Sequence, residues 1–450
     1  MAMRAAGMSV DRTEAGWRAG PAWRMVAVLF VIYVFAWLDR LIISMLVEPI
    51  KASMSLSDFQ MSIILGPSFA ICYALFGLPL GWAADRFSRR GVIFGGTLVW
   101  ALATAACGYA RSYEGLLIAR VFVGIGEAAL LPSAYSLIAD GFPKRKLTLA
   151  ASTFQMAGKV GSATAFGLGG AAIAFATAMN SASLPLHGPA QPWQIVMLMV
   201  GLPGVVLAFL VFTFADPGRF EIARALPPER RSAAALAFMR TEWQLITCMM
   251  VAFSALAICG YSMTSWVPTF IGRRFHWAAT AYGPALSAMN LVAAASLIVN
   301  GRIVDILFGR GMKDAHLRYY SWMILGLSPV IGYMFFAENP WIFLVCYGIV
   351  QFITVPFMVY LSSVMALLAP NAVRGQMIAI FMFVFTILGM GAGPALVGAL
   401  TDFVFRDEAM IGHSLAIVVI GAAAIAFAAL RLALRYLAPA IVAREALDKG

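Results

Sequence analysis

Two ionisable side chains interrupt an otherwise apolar run, Arg120-Val121-Phe122-Val123-Gly124-Ile125-Gly126-Glu127. At 3.6 residues per turn they fall on nearly the same helix face, about 10 Å apart along the axis. A second apolar run carries Asp39-Arg40, and a third carries Lys159 with Gln155 one turn away. A charge at membrane depth costs roughly 3 kcal/mol unless it meets a partner or a wet cavity, so these positions mark an internal site. The chemistry open to such a set is proton exchange and charge pairing. A carboxylate beside Arg is held ionised, whereas one left alone in low dielectric takes up a proton. Arg120 is therefore expected to be contested between Asp39 and Glu127, with a proton deciding the outcome. A permanent ion pair that only locks two helices together is the competing role. Lys159 and Gln155 are expected to meet an anionic headgroup, or Lys159 to neutralise a carboxylate such as Glu127.

These residues need elements that bury them, and the composition says which. The chain has 450 residues, 62% hydrophobic and only 12% charged, with a net charge of +11. Such values lie outside the range of soluble domains. Twelve apolar runs of about 20 residues or more, the length that crosses a bilayer, lie between residues 24 and 437. The expected architecture is an all-α membrane protein of twelve helices. It divides into a cytoplasmic N-terminal segment 1–23, a six-helix half 24–215, a linker 216–243, a second half 244–437 and a tail 438–450. The fifth run is rich in glycine, which permits close helix approach or local breaks. The first run is long enough to span and carries Asp39 and Arg40, so it stays as a helix and is not a cleaved leader.

Of the 32 Lys and Arg, 24 fall in segments on the side of both termini, Arg4, Arg12, Arg219 and Arg224 among them. Five lie on the other side, and Arg40, Arg120 and Lys159 lie within runs. This asymmetry places both termini in the cytoplasm of a multi-pass inner (plasma) membrane protein. The basic residues are spread over many short loops, so nucleic acid is not a partner. The five Cys all sit in apolar runs, so neither a disulfide framework nor a metal site is implied. His187, His276, His316 and His413 fall in loops or at run ends and receive no role. There is no phosphate-binding GxxxxGK[ST] loop and no catalytic constellation, so the chain is expected not to be an enzyme, to need no cofactor and to draw energy from an ion gradient or from the substrate itself. The expected partners are membrane lipids, protons and a small amphiphilic substrate, acting on a monomer.

The two halves echo each other. Gly81-Trp82-Ala83-Ala84-Asp85 is matched, 220 residues on, by Gly301-Arg302-Ile303-Val304-Asp305. Repeated six-helix halves form a transporter architecture whose substrate binds at mid-membrane where the halves meet. By depth, Asp39, Arg40 and Arg120 share a level about 10 Å below the outer surface, and Glu127 lies near the middle. Gly81, Asp85, Arg86, Arg89 and Arg90 form a cytoplasmic gate with Asp140 and Arg145. In it, Asp85 is expected to face the start of the eleventh helix near Gln376, whose dipole favours an anion. Tyr261, Asn290, Thr354 and Tyr360 in the second half are expected to line the cavity, although such residues taken singly more often hold helices together.

Gly81 to Arg90 resembles the signature loop of the major facilitator superfamily. More narrowly, Leu38-Asp39-Arg40, Arg120 to Glu127-Ala128, Pro132, Ser136 to Pro143 and Asp216-Pro217-Gly218-Arg219 look like its spinster branch. The resemblance implies a proton-linked transporter of lipid-like amphiphiles, with Asp39, Arg120 and Glu127 as coupling residues and Arg40 assisting. Phe87-Ser88 departs from the usual glycine of the signature, and Lys159 matches no family pattern. The resulting expectation is a proton-coupled transporter of an amphiphile working by alternating access. An organic-anion or drug carrier, and a passive lipid scramblase, stay open as alternatives.

Overall fold

The computed structural model describes residues 17–179, 183–184, 188–218 and 228–449. Arg4, Arg12, His187, Arg219 and Arg224 lie outside them. Among the described residues, eleven helical runs are long and apolar enough to cross a membrane. They are α1 Ala19–Met45, α2 Asp58–Arg86, α3 Arg89–Tyr109, α4 Tyr113–Gly141, α5 Arg145–Ala178, α6 Pro192–Thr213, α7 Trp243–Phe275, α8 Ala279–Gly309, and then α10 Pro340–Leu368, α11 Val373–Phe405 and α12 Glu408–Ile441. Between α8 and α10, α9 Ala315–Met334 completes twelve; its 20 residues reach across, but Arg318 and three tyrosines make it less apolar. Large apolar side chains on the outer faces stay exposed, Leu78 and Val206 at 69% and Ile298 at 74%. In water this surface would aggregate, whereas in lipid it is the solvated surface.

Breaks within the helices have local causes. Gly66-Pro67 interrupts α2. The first helical segment of α4 ends at Glu127 and the next starts at Leu130. Pro132 lacks the N–H that the carbonyl of Ala128 would bond, which loosens that turn. The glycine-rich α5 is a continuous helix, so its small residues serve close approach and not a break.

The internal repeat is visible in the packing. In the first half α1 packs on α5, α2 on α4 and α3 on α6; in the second α7 packs on α11, α8 on α10 and α9 on α12. The halves meet where α5 packs on α8 and α2 on α11. Both seams depend on missing side chains. A Cβ at Gly170 of α5 would lie 2.3 Å from the Ala279 carbonyl oxygen, and one at Gly66 of α2 would lie 2.6 Å from that of Met390.

These close approaches are confined to the membrane face opposite the termini, here termed the far end. At the opposite, basic end, Gly77 of α2, Gly375 of α11 and Gly301 of α8 have no neighbouring atom within 4 Å of a would-be Cβ. The far end is also latched by charge. Asp58, fully buried at the start of α2, pairs with Lys51 of the short helix Val47–Met54. It also accepts from both terminal nitrogens of Arg273 in α7, at 2.7 and 2.8 Å. Arg273 further meets Glu48 at 2.8 Å, and Lys51 meets Glu408 at the start of α12 at 2.9 Å. Asp402 of α11 accepts from the backbone N–H of Phe59, in the first turn of α2, at 2.6 Å. The halves are therefore closed at the far end and apart at the basic end.

Removing one member of a buried charged pair costs roughly 3–5 kcal/mol, because the other charge is left behind. Arg273→Gln should therefore release the far end. Spin labels at Ser112 and Glu338, one on each half, should show a longer distance population that the unsubstituted protein lacks. An unchanged distance distribution would remove the latch from control of this closure.

Candidate functional site

The site grows from one turn of α1. Consecutive residues on a helix point about 100° apart, so Asp39 and Arg40 face different neighbours. Asp39 is fully buried, with the guanidinium of Arg120 in α4 at 4.0 Å. Arg40 turns toward the space between the halves and pairs with Glu127 of α4. Glu127 and Arg120 are 2% and 1% exposed. Two pairs thus bridge α1 and α4, with Asp39–Arg120 behind and Arg40–Glu127 in front.

This corrects the expected contest for Arg120. In this conformer Glu127 is held by Arg40, and among the described residues Asp39 is the one acid within ion-pair distance of Arg120. The reason is the direction of the side chains. Cα–Cβ bonds tilt toward the helix N-terminus, and α1 and α4 run in opposite directions. Arg40 therefore leans toward mid-membrane while Glu127 leans toward the far end, and the two meet. Arg120 leans away from Glu127 and cannot span the 10 Å of axis between them. The break directly after Glu127 leaves that carboxylate at the end of a helical segment.

Arg40 is also boxed by aromatic rings. Its guanidinium lies 4.5 Å from the ring centre of Phe69, 4.9 Å from Trp37 and 5.2 Å from Tyr73. Phe69 serves Arg120 as well, at 5.7 Å. Tyr73 and Tyr261 both pack against the cluster of Phe69, Trp100, Val123 and Met390, which joins the two halves. Of the second-half residues expected to line a cavity, Tyr261 is the one brought to this charged centre.

The others are turned inward. Asn290 donates to the Leu286 carbonyl of its own helix at 2.9 Å, and Thr354 donates to Gln351 at 2.7 Å. Tyr360 is 1% exposed and packs on Tyr320 with ring centres 4.6 Å apart. Asn290 and Thr354 are thus bonded within their own helices, and Tyr360 is held by ring packing with its buried hydroxyl lacking a hydrogen-bond partner among the described residues. Lys159 lies on the stripe of α5 that also presents Phe166 and Gly170 to α8, since 7 and 11 residues return to nearly the same face. It is half-buried, one to two turns toward the basic end from the last close contact, and has no acidic partner among the described residues. The alternative in which it neutralises Glu127 does not hold in this conformer. Gln155, one turn further, is exposed.

At the basic end the charge network forms, but it ties the first half to the start of the linker. Arg89, 1% exposed, pairs with both Asp140 and Asp216 and donates to the Gly218 carbonyl at 2.8 Å and to Ser136 at 3.2 Å. Arg90 lies over Phe212 at 5.5 Å and Arg86 over Trp82 at 5.5 Å. Gly81 sits against Pro132 of α4, and Arg145 is exposed at the start of α5. Asp85 is exposed and forms no ion pair among the described residues, so its expected approach to Gln376 is absent. The reason is the separation of α2 and α11 at this end.

Sequence reasoning missed the latch of Lys51, Asp58 and Arg273, and the aromatic box around Arg40. A signal for the first existed. Ser57-Asp58-Phe59-Gln60 is a capping box that fixes the start of α2, so Asp58 stands at a structured helix end and not in a loose loop.

A family model described as the Major Facilitator Superfamily matches residues 29–394. An MFS-type efflux pump of Mycolicibacterium smegmatis is 27% identical over 416 residues, covering 90% of each chain. Human protein spinster homolog 1 is 27% identical over 257 residues, 55% of this chain and 46% of its own. Among solved structures, a bacterial homologue of the human lysosomal transporter spinster, in an inward-facing, unoccupied conformation, has a TM-score of 0.79 at 21% identity. That match covers 93% of this chain and 99% of the other.

The contrast between Arg89 and Asp85 is measurable. Arg89→Gln removes the cation that Asp140 and Asp216 share and should cost roughly 2–3 kcal/mol. The midpoint of thermal unfolding in detergent should fall by several degrees, whereas Asp85→Asn should leave it within about one degree. Equal shifts would contradict the placement of these two side chains.

Proposed function

The chain belongs to the Major Facilitator Superfamily and is a transporter, not an enzyme, and from that premise we propose that it couples protons to the passage of an amphiphilic, lipid-like substrate by alternating access. The basic end is taken as cytoplasmic, with both termini there, in the inner (plasma) membrane. The conformer described above, closed at the far end, is then the inward-open one.

The observation that carries the reading is the buried Arg40–Glu127 pair at the junction of the halves, backed by Asp39–Arg120. Arg40 is the only member of the four turned toward the space between the halves, with its side chain 10% exposed. Protonation of Glu127 releases Arg40, whose guanidinium then needs another anion. An acidic or phosphate group on the substrate supplies it, so proton and substrate compete for the same cation. The coupling set is Asp39, Arg40, Arg120 and Glu127. Such a switch works only if the two conformers hold these groups differently.

The amphiphile is argued from the surroundings. Trp37, Tyr73 and Tyr261, backed by the buried Phe69, offer an aromatic surface beside Arg40, and Lys159 with Gln155 adds a polar, cationic stretch along α5 toward the basic end. An anionic head with an apolar body matches both. Similarity to the mycobacterial efflux pump over nearly the whole chain favours a second reading, an organic-anion or drug carrier using the same pairs.

Reconstituted flux across imposed pH gradients tests this, with a panel of lysophospholipids, sugar acids and amphiphilic drugs. The expected result is gradient-dependent movement of a lysolipid that Glu127→Gln makes insensitive to pH. Movement of sugar acids or drugs alone would replace the lipid reading with the carrier reading. Lipid movement that ignores both the gradient and Glu127 would indicate a scramblase.

A further inference from the structure

A second charged feature lies outside the transport path, on the outer surface where α9 packs on α12. There a groove of about 500 Å³ is lined by Arg318 of α9 and by Ala428, Arg431, Leu432, Leu434 and Arg435 of α12. Arg431 and Arg435 are one turn apart on the same helix face, are exposed, and have no acidic partner among the described residues. Two unpaired guanidiniums so close repel each other unless an anion lies between them. Arg318 is held in place by Asp314, the acid in reach, at 2.5 and 3.0 Å. That bridge uses Nε and Nη2 only, which leaves Nη1 for another acceptor.

Depth identifies the anion. Arg431 is 20 residues beyond Ile411, where the α12 helix starts at the far end, or about 30 Å along the axis, the thickness of the hydrocarbon core. Arg318 is in the first turn of α9, which starts from the basic end. All three guanidiniums therefore sit at the headgroup level of the leaflet at the basic end. From them, apolar side chains run toward mid-membrane on both helices: Trp322 and Leu325 on α9, 45% and 55% exposed, and Ile425 on α12, 54% exposed. Cationic groups at the interface with an apolar track above them fit a lipid phosphate and its acyl chain.

We propose that the α9–α12 groove is a binding site for an anionic phospholipid of that leaflet, with Arg431 and Arg435 gripping the phosphate and Arg318 closing its side. The site is separate from the Arg40–Glu127 centre, and its existence does not depend on what the protein transports.

Native mass spectrometry of the purified full-length protein, delipidated and then exposed to defined lipids in detergent, tests the site. Phosphatidylglycerol should be retained over phosphatidylethanolamine, and the double substitution Arg431→Gln/Arg435→Gln should weaken retention about thirtyfold, the factor two interfacial cations supply. Arg431→Lys/Arg435→Lys should restore most of it. Both arginines are exposed and unbonded, and an unchanged thermal midpoint without lipid shows that the variants fold. Equal retention of the two lipids by the unsubstituted protein would overturn the proposal whatever the variants do. So would full retention by the Gln variant, or displacement of the lipid by millimolar inorganic phosphate, which would make the groove a free-anion site.

Discussion

A charged side chain inside a membrane bundle must find a partner of opposite sign, and the architecture of the first half follows from how four such groups are partnered. Asp39, Arg40, Arg120 and Glu127 are all nearly removed from solvent. Each would be costly alone. Because α1 and α4 are antiparallel, their side chains lean toward each other across the contact, and Arg40 meets Glu127. The pairing holds α1 against α4, the aromatic box forms around Arg40, and the break in α4 falls directly after Glu127. The two pairs differ in closeness: Arg40 donates a hydrogen bond to Glu127, whereas Asp39 and Arg120, 4.0 Å apart, share charge without one.

The two ends of the bundle use different means. At the far end, glycines at 66 and 170 allow backbone contact between the halves, and Asp58 with Lys51 and Arg273 adds a buried charged latch. At the basic end the arginine of the signature loop, Arg89, spends its hydrogen bonds on Asp140 and Ser136 of the first half and on Asp216 at the start of the linker. Among the described residues, the ion pairs and hydrogen bonds that link the two halves lie at the far end. Rigid halves with one latched end and one separated end are what movement between two packed arrangements requires.

Much of the candidate site was legible before any coordinates. Asp39, Arg40, Arg120 and Glu127 stood out because intramembrane charge is costly, and helix period with depth brought them to the correct region. Their pairing was not legible, because a contest decided by spacing along α4 neglected the lean of side chains from α1. Polarity alone leaves Asn290, Thr354 and Tyr360 open to a cavity role or to helix cohesion. Whether a polar side chain bonds to its own helix or faces a cavity depends on rotamer and on the facing helix, which spacing does not encode.

The sequence by itself determined the number of spanning helices, the division into repeated halves, the asymmetry of basic residues and the identity of the buried charges. These are properties of composition and period along one dimension, set by bilayer thickness and the cost of burying charge. Only the tertiary structure decided that Arg40 holds Glu127, that Asp85 stands apart from α11, that Asp58 and Arg273 join the halves, and that Arg318 comes to lie beside Arg431. The three contacts join residues of different helices, 87, 215 and 113 positions apart in the chain. Side-chain reach and the relative placement of the halves govern such contacts, and neither is written in any local run of residues.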